Sequence, residues 1–213
     1  VQSVPDGTIG GNAVGYLVNA ALSPSAQDAV RDLQALLDAR LPGALWLAPA
    51  HSLHITLLDW IAPLVTYEED PHLLFERLFP ECDRVLAAVA AEHPPIEVRF
   101  DEVVVSERAV IVRGRDDGSF ASIRKSFAAA VELPPGTKPA PRIVHATIAR
   151  YRSTVDLDDL ARYAEGIGPG PEETVRSFRL VRENVLPMLD HDHLRDYPLG
   201  TSPSSRPGTT SRR

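Results

Sequence analysis

A single cysteine, Cys82, stands in 213 residues, which excludes an internal disulfide and any zinc site built from several thiolates. A cytoplasmic setting is expected from this. No apolar run approaches the length that crosses a bilayer, and the first residues lack the basic-then-apolar pattern of an export signal, so no membrane association is expected. Basic residues are outnumbered, 22 against 29 acidic, for a net charge of −7. Three arginines fall in the last thirteen residues, so residues 1–200 hold 19 basic and 29 acidic residues, a net of −10. A body so acidic repels a long polyphosphate unless its cations gather in one groove, which excludes long duplex nucleic acid as the expected partner. A glycine-rich phosphate cradle is also missing: Gly7, Gly10 and Gly11 follow no strand and open no helix.

The chain is long enough for one large domain or two small lobes with a sizeable core, and 44% hydrophobic with 24% charged residues is ordinary for a globular protein. Its most informative feature is a tripeptide that occurs twice, His54-Ile55-Thr56 and His145-Ala146-Thr147. Each copy lies in a short apolar run, Leu53 to Leu57 and Val144 to Ile148, that reads as a β-strand. On a strand, residues i and i+2 share a face, so each copy offers an imidazole beside a hydroxyl with apolar side chains behind. Two such pairs facing one another make a metal-independent acid/base site with two further hydrogen-bond donors, as phosphodiester chemistry requires.

The remaining pattern alternates strands and helices. Val1 to Asn12 reads as a flexible lead, and Tyr16 to Leu22 as a first strand. Ser23-Pro24 starts a helix carrying Ala26, Val30, Leu33, Leu37 and Leu41, stopped by Pro42-Gly43. Leu45 to Leu58 holds the first motif strand, and Asp70-Pro71 opens a helical stretch bent or broken at Pro80. Ile96 to Phe100 and Val103 to Arg113 read as strands turning near Ser106 to Arg108. Ser119 is expected to cap a helix with Phe120, Ile123, Phe127 and Val131 on one side. A proline-rich connection leads into the second motif strand, Asp156 caps a short helix, and Thr174 to Arg182 reads as the last strand. Residues 13–200 are thus expected to form one bilobal domain. From Thr201 to Arg213 the composition predicts disorder. The two halves repeat a layout rather than a sequence.

Several other residues are weighed and set aside. On regular strands Trp60 and Tyr151 share the faces of His54 and His145, but six residues of strand span about 20 Å, so packing roles are expected. Arg142 and Arg150 sit at odd offsets from His145 and are expected on the opposite face, outside the site. His51 and His54 are three apart and diverge on a strand, so a shared metal is not expected. Asp190-His191-Asp192-His193 reads as an exposed polar turn before Leu194, with an oxygen/nitrogen metal site as the minor alternative. Glu68-Glu69-Asp70 reads as solvated acid, and Cys82 as structural.

With both motifs in hand, the chain resembles the 2H phosphoesterase superfamily, defined by paired His-x-Thr or His-x-Ser motifs and including the 2′,3′-cyclic phosphodiesterases also called 2′-5′ RNA ligases. The likeness in layout runs from about Tyr16 to Leu186. Val144 stands where many members carry proline before the second histidine. The resemblance implies an α+β fold of two pseudo-symmetric lobes, antiparallel sheets lining a central cleft with helices outside. It also implies catalytic histidines at His54 and His145, with Thr56 and Thr147 binding substrate phosphate. It assigns His145 to the water and His54 to the leaving ribose oxygen, roles that exchange if the reaction runs as ligation. The expected activity is hydrolysis of 2′,3′-cyclic phosphates of nucleotides or RNA ends, or of 2′-5′ phosphodiester bonds, in RNA processing. No cofactor and no metal are expected, the partner is a nucleotide, oligonucleotide or RNA end, and a monomer is expected. Two rival readings remain: a nucleotide- or phosphate-binding module without turnover, and a metal-dependent hydrolase using Asp190 to His193.

Overall fold

The computed structural model describes residues 1–201; the stretch 202–213, where the sequence predicts disorder, lies outside the described residues. Nine strands and four helices follow in the order β1 (Asn12–Ala21), α1 (Pro24–Arg40), β2 (Leu45–Leu47), β3 (His54–Ile61), α2 (Pro71–Ala91), β4 (Ile96–Val105), β5 (Ala109–Arg115), α3 (Ser119–Ala130), β6 (Val144–Tyr151), α4 (Leu157–Glu165), β7 (Glu172–Val175), β8 (Ser177–Val185) and β9 (Asp190–Pro198). All pairings are antiparallel, in the order β7-β4-β5-β6-β3-β1-β8-β9, with β2 added beside β6. The two motif strands head opposite flanks, β6-β5-β4-β7 with β2 on one side and β3-β1-β8-β9 on the other, and β3 and β6 meet at the centre through the single register pair Ile55↔Ala146. The result is an α+β fold of two pseudo-symmetric halves. No described helix is long and apolar enough to cross a membrane.

One sheet face is buried under the helices. Val18, Ala20, Ile55, Leu57, Val110, Val112, Ala146 and Ile148 join Leu33, Leu37, Leu86, Phe120, Ile123 and Phe127 in one core. The polar Gln34 of α1 is buried in this layer without penalty, since its amide donates to the carbonyls of Ala48 and Ile148, each at 2.8 Å. The opposite face is left for the motif side chains.

Helix starts follow the expected chemistry in three cases. Ser23 accepts from the Ala26 N–H, and Asp70 and Asp156 each accept from two backbone N–H groups of the first turn. The fourth differs. Gly118, at φ +95°, precedes α3, and Asp116 and Asp117 accept from the N–H groups of Phe120 and Ser119, while the Ser119 hydroxyl itself donates to Asp117. Two carboxylates outcompete one hydroxyl for the orphan donors of that turn.

Pro80 neither bends α2 into two helices nor ends it. Pro80 and Glu76, whose carbonyl loses its donor, are both exposed residues, so the lost hydrogen bond falls on the outer side of the helix. The expected last strand, Thr174 to Arg182, is two strands on opposite flanks of the sheet, β7 beside β4 and β8 beside β1. Asp190 to His193 is no polar turn but the start of β9, an edge strand paired only to β8. Its charged sequence hides the strand and also discourages further edge pairing. The flexible lead is docked as well. Ser3 is buried, and the N–H groups of Ser3, Val4 and Asp6 donate to the carbonyls of Val155, Glu107 and Tyr151 at 2.8–3.0 Å.

Candidate active site

His54, Thr56, His145 and Thr147 line one cavity of about 190 Å³ at the sheet centre, together with Trp46, Ala48, Ser52, Arg150 and Pro187. Strand alternation brings them there. Along β3 the half-buried His54 and Thr56 alternate with the buried Leu53, Ile55 and Leu57, and along β6 His145 and Thr147 alternate with Val144, Ala146 and Ile148. Because β3 and β6 are neighbours, the two imidazole–hydroxyl pairs open on the same space.

Both motif strands then break their alternation at the same place. On β3 the register with β1 runs Asn19↔Thr56 and then Val18↔Leu58, leaving Leu57 as an extra residue. On β6 the register with β5 runs Ile111↔Thr147 and then Val110↔Ala149, leaving Ile148 extra. Each bulge sits three residues past its histidine. Leu57 and Leu58 are both buried, as are Ile148 and Ala149, and the side-chain phase flips beyond them. Trp60 and Tyr151 consequently turn into the core, where both are fully buried. Arg150, expected on the opposite face, instead returns to the face of His145 and lines the cavity, its guanidinium held by Asp6 at 2.8 Å. Asp59 takes the equivalent position on β3. Arg142 is exposed and stays outside.

The His54 ring is oriented by its own backbone: Nδ1 lies 2.6 Å from the Ser52 carbonyl oxygen. A carbonyl can only accept, so Nδ1 carries the proton and Nε2 is left to exchange one. Burial, followed by the charges of Arg179, His145 and His191, pushes the His54 pKa down to about 4 against the pull of that carbonyl. Burial, and then the charge of Arg124, also lowers that of His145, whereas a hydrogen bond to the backbone of Ile143 raises it. Both rings are therefore neutral at neutral pH in the free protein. Asp59 moves the other way, burial raising its carboxyl to about 6.

Cations gather here although the chain is acidic. Arg113 is the cross-strand neighbour of His145. Arg124 of α3 is buried where β3 and β6 part, donating to the carbonyls of Thr56 at 2.7 Å and Leu57 at 2.8 Å. Arg179 donates to Asn19 at 2.8 Å, and Asn19 lies beside Thr56. Among the described residues neither Arg124 nor Arg179 forms an ion pair. This is the local clustering that a polyanionic ligand would need.

The run Asp190 to His193 takes its place on β9, so His191 and His193 lie on one face and the two aspartates on the other. Asp192 pairs with Arg182, and His193 with Asp196 at 3.0 Å. Among the described residues no group of three or more His, Cys, Asp or Glu side chains is placed to hold a metal. His51 is in a short 3₁₀ turn rather than a strand, stacked against His191 with ring centroids 6.5 Å apart. Of the residues around the cavity, sequence reasoning passed over Arg150, Arg124, Arg179 and Asp59. The apolar doublets Leu57-Leu58 and Ile148-Ala149, which interrupt strict alternation, are the signal that would have revealed the bulges and with them Arg150 and Asp59.

Comparison with known proteins agrees with this architecture. A family model described as the 2′-5′ RNA ligase superfamily matches residues 21–185. No curated protein matches the chain in sequence. Among solved structures, TT0787 of Thermus thermophilus is 18% identical with a TM-score of 0.63, the match covering 88% of this chain and 98% of that one. E. coli LigT complexed with phosphate is 15% identical with a TM-score of 0.55, covering 89% of this chain and 99% of LigT. E. coli LigT complexed with 3′-AMP is 14% identical with a TM-score of 0.53, covering 88% and 98%. At such identities the likeness is one of fold.

Proposed function

Since this chain belongs to the 2′-5′ RNA ligase superfamily, we propose that it is a phosphoesterase that opens 2′,3′-cyclic phosphates of nucleotides or RNA ends, or cleaves 2′-5′ phosphodiester bonds. The observation that carries this reading is the sharing of one cavity by His54, Thr56, His145 and Thr147. Opening the ring needs a base on one side of phosphorus and an acid on the other, and two separate imidazoles supply both. His145 takes a proton from water as its oxygen bonds to phosphorus. The bond from phosphorus to a ribose oxygen breaks, and His54 gives that oxygen its proton. Thr56 and Thr147 donate to the non-bridging oxygens, whose charge grows in the transition state, and the Arg150 guanidinium adds a fixed positive charge beside them.

His54 must enter this cycle protonated, yet it is neutral in the free protein. A bound phosphate supplies the missing negative charge beside it, offsetting Arg179, His145 and His191. Protonation of the acid is thereby coupled to substrate binding. A cavity of about 190 Å³ is below the usual range for whole ligands, so it accommodates the phosphate while the nucleoside lies outside. LigT complexed with phosphate and with 3′-AMP supports a nucleotide as the class of ligand.

The test is a product assay on 2′,3′-cyclic nucleotides and 2′-5′ dinucleotides, with His54→Ala and His145→Ala as controls. Both variants are expected to fold and to lose turnover, and EDTA to leave the wild-type rate unchanged. Full activity in either histidine variant overturns the reading.

A further inference from the structure

The two halves are not filled alike beside the motif strands. In the first half β2 leaves its own lobe and pairs with Ala149 to Tyr151 of β6, the positions four to six past His145. The equivalent positions on β3 are Leu58 to Trp60, and the segment that would pair with them precedes β6. That segment carries Pro134, Pro135, Pro139 and Pro141. Proline has no N–H and cannot extend a ladder, so no strand forms there. A cavity of about 240 Å³ opens instead, walled by Leu58, Phe127, Leu133 and Pro134 and carrying Asp59, Arg124 and Lys138.

Asp59 has no partner in this cavity. Among the described residues it makes no hydrogen bond and no ion pair, although the charge of Lys138 acts on it. Asp59 is half-buried, and a carboxylate partly withdrawn from water with no protein donor gains when a ligand brings one. Asp59 shares the face of Thr56 three residues earlier, within about 10 Å along the strand, so the cavity opens next to the phosphate site on the scale of one nucleoside. Arg124 lines this cavity and donates to the backbone carbonyl of Thr56, a residue that lines the phosphate cavity.

We propose that this cavity is a nucleobase subsite and that Asp59 selects bases carrying an exocyclic amine, namely cytosine, adenine and guanine, over uracil. The inference rests on the phosphoesterase reading for its substrate, but not for its test. The apolar walls take the faces of the ring, and the Asp59 carboxylate accepts from the amine. Uracil presents carbonyl oxygens where the amine would stand, leaving Asp59 unpaired and repelled.

Two measurements on the full chain decide it: kcat/KM for the four nucleoside 2′,3′-cyclic monophosphates, and calorimetric binding of cytidine and uridine 3′-monophosphates. Each is made on wild type and on Asp59→Asn, whose fold is checked by its melting temperature. Wild type is expected to favour cytidine over uridine by about tenfold. Asp59→Asn is expected to bring that ratio near one, because an amide also donates to uracil. An unchanged ratio, an equal loss on all bases, or no binding of either nucleotide overturns the subsite. Base-selective binding that depends on Asp59, without turnover of any cyclic nucleotide or 2′-5′ dinucleotide, upholds the subsite and overturns the phosphoesterase reading.

Discussion

Asp59 and Arg150 occupy equivalent places in the two halves: each lies five residues past its motif histidine, and each is returned to the histidine's face by one extra residue in the strand. The two positions bear opposite charge, so a backbone that is nearly twofold carries a site that is not. Arg150 lines the phosphate-sized cavity, and Asp59 lines the opening beyond it. The asymmetry gives an asymmetric ligand one way to lie, phosphate toward Arg150 and base toward Asp59.

Arg150→Ala should therefore act at the phosphate. Removal of the guanidinium is expected to lower kcat/KM by about 10²-fold and to weaken inhibition by inorganic phosphate in parallel. Asp6→Ala, which frees the guanidinium without removing it, should cost far less. Steady-state kinetics with phosphate as competitor check both, and an Arg150→Ala enzyme with unaltered phosphate inhibition counts against the contact.

The threonines are expected to matter more in the transition state than in the ground state. Thr56→Ala and Thr147→Ala should each reduce kcat by roughly 10²- to 10³-fold, with KM little changed, if each hydroxyl donates to an oxygen gaining charge. Thr→Ser at either position keeps the donor and should keep most of the rate. A loss confined to KM would make the hydroxyls ground-state ligands instead.

How much of this was legible from residues alone varies with the physics. Alternation at His54 to Leu57 and Val144 to Ile148 fixed the motif strands and the shared face of each imidazole–hydroxyl pair. Ser23, Asp70 and Asp156 marked helix starts because their side-chain oxygens are the available caps. The bulges at Leu57 and Ile148 escaped notice because an extra apolar residue in a buried strand resembles ordinary core, and that single slip hid Asp59 and Arg150. β9 escaped because an edge strand with one partner needs no apolar face. The docking of Ser3 and Asp6 rests on backbone hydrogen bonds to distant carbonyls, which no local pattern announces. Arg124 and Arg179 reach the site from α3 and β8, elements far from either motif in sequence.

His54 gives a prediction in solution. Its imidazolium is expected to form only near pH 4 in the free protein, because burial and the Arg179 charge disfavour it more than the Ser52 carbonyl favours it. Arg179→Gln should raise that value, and bound phosphate should raise it further. Ring-proton chemical shifts followed against pH report all three. Titration of His54 near 6.5 in the free protein would remove the coupling between substrate binding and protonation.

The same shift has a sign in stability. An unfolded chain protonates this histidine near 6.5 and the folded one near 4, so stability is lost as pH falls through that window. Asp59 works in the opposite sense, because a carboxyl raised from 3.8 to about 6 favours the folded state increasingly as pH falls from 6 toward 3.8. Comparison of His54→Gln with wild type isolates the histidine: the variant should lose less stability between pH 6.5 and 4 in denaturant melts. Parallel melting curves would mean the ring is as free to protonate in the folded chain as in the unfolded one.

Pro80 offers a test of the fold away from the site. It lies mid-helix in α2, which runs unbroken over Pro71–Ala91. Its ring removes one N–H from the ladder and crowds the preceding turn, a cost of about 3 kcal/mol in an unstrained helix, offset in part by the lower entropy of the unfolded chain. Pro80→Ala restores the donor to the Glu76 carbonyl on an exposed face, where no packing partner is lost. A gain of about 2 kcal/mol is expected, seen as a rise in Tm of roughly 4–8 °C with activity unchanged. Since α2 packs on β9, α3, β1 and β3 and lines no part of the cavity that holds the two histidines, a change in kcat here would show that the helix is coupled to the cleft through those neighbours.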